Sequence, residues 1–288
     1  MISVLKTSVE LGLICSLTSL ALFLSYKMLG VCDLSTDGCF TLGAVVSASI
    51  TLMGHPYLAI IMAIFSGMIS GFITAFLQTK MKIESLLAGI IVNTALYSIN
   101  ITIMKGSSLL NLNKSETIFT LFKTIFSSYY KILTSLLFVL IVLIFLNYFL
   151  KTRLGLSIRA TGDNYKMAKS SSINTDLMII IGLCLANGIT ALSGCLLGFY
   201  QKSVSIDMGD GMLTIALASL LIGYSLNNKN NILINSVFVV LGSIIFRVIY
   251  MLALRLNMPA YMLKLVSAII VILAIYIPYL KKRGFKNA

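Results

Sequence analysis

Asn93, Tyr97 and Asn100 lie four and three residues apart in an apolar run, a spacing that gathers two amides and a phenol on one helical face. In a hydrocarbon setting that face must meet protein or water. It reads either as the lining of a path for a polar solute or as hydrogen-bonding contact between helices, and Asn187 in a later apolar stretch carries the same two readings. Arg247, in SIIFRVIYMLALR, is the sole charge well inside an apolar run, and an ionisable group at such depth points to function. Its guanidinium could pair with a solute carboxylate, with Glu10 or with Asp207. The other reading is snorkelling to the outer interface, where Arg255 follows two turns later. Asp33 and Asp37, in GVCDLSTDGCFTLGA, read as caps at a membrane edge, since Ser35, Thr36 and Asp37 are good N-cap residues ahead of an apolar helix.

These residue types do not assemble into an enzyme. His55 is the only histidine and sits in the turn GHPY, so imidazole acid–base chemistry and a Ser-His-Asp triad have little to work with. There is no H-E-x-x-H, no pair of membrane carboxylates and no G-x-x-x-x-G-K-[ST] phosphate loop. Cys15, Cys32, Cys39, Cys184 and Cys195 lack C-x-x-C spacing and read as small buried hydrophobes, neither a zinc site nor a disulfide framework.

The elements that must carry these groups are membrane helices. The 288 residues are 58% hydrophobic and 11% charged, with mean hydropathy +0.99, against roughly a quarter charged in soluble domains. Apolar runs of about 20 residues are long enough to cross a hydrocarbon core. The expected architecture is an all-α, polytopic membrane helix bundle of about nine spans, near 9–28, 37–54, 57–79, 85–104, 131–150, 176–200, 210–226, 231–253 and 263–280, forming a single domain over 1–288. The first span, behind Lys6 and without an A-x-A-like site, is expected to remain uncleaved. Gly67 with Gly71 and Gly194 with Gly198 are expected to be sites of close helix packing. The stretch QKSVSIDMGDGM, 201–212, reads either as a broken or re-entrant segment lining a watery cavity or as an external turn.

One polar interruption is longer than a turn. The loop 151–175 carries Lys151, Arg153, Arg159, Lys166 and Lys169 against Asp163, and by the positive-inside rule it faces the cytoplasm. Alternation then places Lys80, Lys82, Lys229 and the tail Lys281, Lys282, Arg283 and Lys286 inside, the N-terminus outside, and Lys105, Lys114, Lys123 and Lys131 in an external loop with room for an interfacial helix. The net charge of +13 is thus a matter of anionic headgroups and orientation, not of nucleic acid.

The segments CDLSTDGCFTLGA, AGIIVNTALYSINI, IRATGDNYKMAKSSSINTDLM, LANGITALSGCLLGFYQ, MGDGMLTIALASLLIG and GSIIFRVIYMLALRL together resemble the permease subunits of bacterial ABC importers for branched-chain amino acids, simple sugars and nucleosides. Within that family the chain looks most like the branch paired with receptors for tryptophan, tyrosine or similar small molecules. The resemblance implies a type II-like importer permease in the bacterial cell membrane. Its implied partners are a cytoplasmic ATPase that binds the ATP and magnesium, an external or periplasmic binding protein or lipoprotein, and a second permease copy. It also implies that 151–175 holds a cytoplasmic coupling helix, with Arg159, Ala160, Thr161, Gly162, Asp163, Asn164, Met167, Ala168, Ile173 and Asn174 as its coupling residues. Two positions depart from the pattern: Ser172 stands where relatives usually have Gly, and Tyr165 where many have a small or acidic residue or Pro. The competing function is a secondary transporter or channel acting alone, which would require more ionisable groups within the spans than this sequence supplies.

Overall fold

A computed structural model describes residues 2–113, 115–123, 129–226, 231–255, 265, 267–272 and 276. Among them, seven helices are long and apolar enough to cross a membrane, and Thr36–Leu52 is a shorter apolar helix. The ninth span expected at 263–280 falls mostly outside the described residues.

The elements run α1 (Ile2–Leu22, continued by a π-helical turn Phe23–Met28), α2 (Thr36–Leu52), α3 (Pro56–Thr79), α4 (Ser85–Ile103), β1 (Leu109–Asn111), α5 (Ile118–Lys123), α6 (Tyr130–Phe149), α7 (Arg153–Asp163), α8 (Tyr165–Ser170), α9 (Thr175–Gln201), β2 (Ser203–Ser205), a 3-10 turn (Ile206–Gly209), α10 (Met212–Leu226) and α11 (Ile232–Arg255). The external loop expected between α4 and α6 contains β1, which pairs antiparallel with β2 in the register Leu110 to Val204, and the short helix α5.

Helix α9 is the axis of the bundle, and its small residues explain why. Gly67 and Gly71 of α3 rest on the backbone of Asn187 and Leu183, Gly43 of α2 on Ala191, and Gly194 of α9 on Phe40, at separations that a Cβ would close. The backbones therefore approach without intervening side chains, as van der Waals packing in lipid requires. Helix α1 lies on the same core through Ser193 Oγ, which donates to the Ile14 carbonyl at 2.7 Å, and α11 covers α1 through Ser243 Oγ to Gly12 at 2.8 Å. Outward-facing Ile61, Phe65, Ile90, Ile91, Ile144 and Phe145 are exposed, as side chains that meet lipid should be.

Two crossings are not continuous helices. After α1 the chain bends at its π-turn, touches α7, and re-enters the bundle as the extended segment 29–35, so that Asp33 and Ser35 lie beside Asn187, near the middle of α9. Only there does α2 begin; at 17 residues it is about 26 Å long, short of a full crossing with its slack. The second interruption is 203–211. It leaves the α9 end of the bundle as β2 and a 3-10 turn, packs Gly209 against Asp37 and Thr41, and delivers Met212 to start α10. This is no ordinary external turn. The irregular backbone lies against the first turn of α2.

Candidate functional site

The start of α2, α4 and the second interruption line an open polar cavity of about 80 Å³, formed by Asp37, Gly38, Thr41, Asn93, Tyr97, Asn100, Ile206 and Asp210. Three of the residues anticipated on one helical face thus meet at one wall. Asn93 Oδ1 accepts the Gly38 N–H at 2.7 Å, and Asn100 Nδ2 donates to the Gly38 carbonyl at 3.3 Å. The two amides bracket the first turn of α2, and glycine is required between them: a Cβ on Gly38 would lie 2.6 Å from Asn93 Oδ1. Tyr97 is half exposed, whereas Asn100 is only 1% exposed and its Oδ1 has no partner among the described residues.

Asp37 corrects the expectation of a local cap. The N-cap of α2 is Ser35, which makes no side-chain cap bond, and the Asp37 carboxylate instead crosses to α10, accepting the N–H groups of Gly211 at 3.1 Å and Leu213 at 2.7 Å. The first amides of a helix have no partner within it, and here a carboxylate from another crossing satisfies two at the start of α10. Asp33 is likewise not at a membrane edge. It is fully buried, accepting Ser35 N–H at 2.8 Å and Asn187 Nδ2 at 2.9 Å, while Ser35 Oγ accepts from Asn187 at 3.2 Å and from Thr74 at 3.4 Å. This knot ties the extended segment to α3 and α9.

Asn187 and Arg247 are not at the cavity. Asn187 belongs to the knot, and Arg247 of α11 faces α1, donating from Nη2 to Cys15 Sγ at 2.9 Å with its guanidinium 5.6 Å from the Tyr250 ring. Neither Glu10 nor Asp207 meets it. Glu10 Oε2 accepts the Tyr200 hydroxyl at 2.8 Å, and Arg247 is buried, not snorkelling. Asp37, Thr41 and Asp210 are the cavity residues that the sequence reading missed. For two of them the signal was placement beside a glycine, Asp210 between Gly209 and Gly211 and Asp37 ahead of Gly38; Thr41, between Phe40 and Leu42, carried none.

The loop 151–175 folds as the helix pair α7 and α8, a knob at the opposite end of the bundle from β1 and β2. Three side chains cap its turns: Thr152 accepts from Gly155 N, Asn164 from Met167 N at 3.1 Å, and Asn174 from Leu177 N at 3.2 Å. Buried Ile158, Thr161 and Ala168 and half-buried Ile173 seat the pair. Arg159 and Ala160 are half-buried; Asp163, Asn164, Met167 and Asn174 are exposed. Gly162 lies on the backbone of Met28 and Leu29, and Gly30, at φ +72°, packs back on Gly162. The knob therefore touches the chain just where it turns inward toward Asp33, α2 and the cavity. Ser172 adopts φ +60°, the left-handed conformation that glycine takes at least cost, which accounts for the expectation of Gly there.

A multi-pass helical bundle with two broken crossings around a polar cavity is the build of a membrane permease. The chain belongs to the family described as the permease component of the branched-chain amino acid transport system, which matches residues 5–275. It is 38% identical over 263 residues, 91% of this chain and 86% of the relative, to a tyrosine transport system permease protein of Clostridioides difficile (strain R20291). It is 31% identical over 279 residues, 95% and 97% of the two chains, to an uncharacterised protein of Rickettsia prowazekii (strain Madrid E). No solved structure matches it.

Proposed function

We propose that the chain is the membrane subunit of a bacterial importer for a small polar solute, an amino acid of aromatic or branched-chain type, driven by ATP hydrolysis in a separate ATPase. The observation that carries this reading is the seat of Gly162 on Met28 and Leu29, because it joins a water-exposed knob to the segment that leads into the cavity wall. A motor can shift a membrane crossing only through an element that touches both, and a helix wedged in a groove of the partner meets that need. On the knob, Leu154, Leu156, Tyr165 and Met167 are each about half exposed beside Arg153, Lys166 and Lys169, an apolar surface with a basic rim suited to such a groove.

In this reading the knob and the tail are cytoplasmic and the N-terminus is external. Two permease copies supply the walls of the path, Asn93, Tyr97 and Asn100 face the solute, and an external binding protein or lipoprotein delivers it. ATP and magnesium stay on the ATPase. The tyrosine permease among the relatives makes tyrosine the first solute to try. Proteoliposomes holding permease and ATPase, with the binding protein supplied on the outside, should import it only with ATP, and Arg159→Glu should leave hydrolysis running while uptake falls at least tenfold. Gradient-driven flux through the permease alone would favour a self-sufficient transporter or channel instead.

A further inference from the structure

The charged groups lining the cavity are both carboxylates, Asp37 and Asp210, with no lysine, arginine or histidine among the lining residues. Two helices, α2 and α10, begin there, and free helix N-termini would draw an anion. Four of the amides at these helix starts are already taken: Gly38 N–H by Asn93, Cys39 N–H by the Ser35 carbonyl, and those of Gly211 and Leu213 by Asp37. Much of what would attract a carboxylate is thus met from within the chain, and the Asp37 and Asp210 charges oppose one. A separate observation points to a donor as the missing ligand. Asn100, 1% exposed in the same wall, gives its amide nitrogen to Gly38 and leaves Oδ1 buried without a partner among the described residues, which is costly unless a donor supplies it. Size narrows the choice. A cavity of 80 Å³ takes roughly two or three water-sized groups, which suits the head of a solute better than the whole molecule.

We propose that this cavity receives the ammonium head of the transported solute, with Asp210 and the Asn100 carbonyl as its acceptors, and that the solute's carboxylate and side chain stay outside it. The assignment rests on the transport reading but is tested without it. Tyr97 lines the cavity and is half exposed, so a cysteine there reports on access. With purified permease carrying Tyr97→Cys, measured against the parent chain with its own cysteines, a cationic methanethiosulfonate should react about tenfold faster than an anionic one after correction for intrinsic rates. Asp210→Asn should cut that ratio at least threefold. Tyramine should slow modification and 3-(4-hydroxyphenyl)propionate, which lacks the nitrogen, should not; protection by L-tyrosine as well would assign the head to a zwitterion, and by tyramine alone to an organic amine. A ratio near one, a ratio that Asp210→Asn leaves unchanged, or protection by the propionate equal to that by the amine overturns the assignment. Neither ATP nor a partner chain enters this measurement, so failure of ATP-driven uptake would leave its outcome standing, and the reverse.

Discussion

The cavity wall and the α7–α8 knob use side chains in opposite ways. Around the cavity and in the knot beside it, polar groups deep in the bundle are committed within the chain: Asn93 and Asn100 hold the Gly38 backbone, Asp37 holds the start of α10, and in the knot Asn187 holds the Asp33 and Ser35 side chains. On the knob, polar side chains do little beyond capping, while Leu154, Leu156, Tyr165 and Met167 stand in the open. The contrast follows from the medium. Where helices break inside hydrocarbon, each freed amide and carbonyl needs a partner, so polar residues gather to supply it. In water those groups are hydrated, and it is uncovered apolar surface that calls for a partner.

Substitutions can break this comparison. The largest stability effect is expected for Asn187→Leu, which strips a donor from the buried Asp33 carboxylate: about 2–3 kcal/mol, read as a lowered unfolding midpoint in detergent. A neutral result would mean that the knot does not hold the extended segment. Asp37→Ala removes a cap supplied from another crossing and should cost about 1–2 kcal/mol, with faster hydrogen exchange at the Gly211 and Leu213 amides. The smallest stability change, within about 0.5 kcal/mol, is expected for the double substitution Leu156→Ser and Met167→Ser, since both side chains are exposed. Capture of the ATPase by the purified permease should nonetheless fall at least tenfold. A knob variant that unfolds the bundle while still binding the ATPase would erase the distinction between the two regions.

Much of the bundle was legible because lipid demands long apolar runs: α3, α4, α6, α9 and α11 begin and end within a few residues of the expected spans. The face carrying Asn93, Tyr97 and Asn100 was legible for the same periodic reason. What escaped was long-range. Asp37 resembled a cap for its own helix, since local sequence offers Ser35 and Thr36 beside it, but its acceptor role is filled 174 and 176 residues away. Asn187 could be read only as glue or path until Asp33, 154 residues earlier, was placed next to it. By sequence the 29–35 segment reads as an edge between two spans, because a short polar stretch gives no sign of the depth at which it runs. Arg247 looked functional by charge alone, and its contact with Cys15 depends on how α1 and α11 pack.

Asp37 has a mechanical consequence. One carboxylate pins the re-entry of the second crossing to the head of α10 through bonds of 3.1 and 2.7 Å, and a slip of about 1 Å would rupture the tighter one. The two broken spans therefore cannot travel separately while that pin is intact. A push arriving at Gly30 must carry the front of α10 along in lockstep, or else shear the joint.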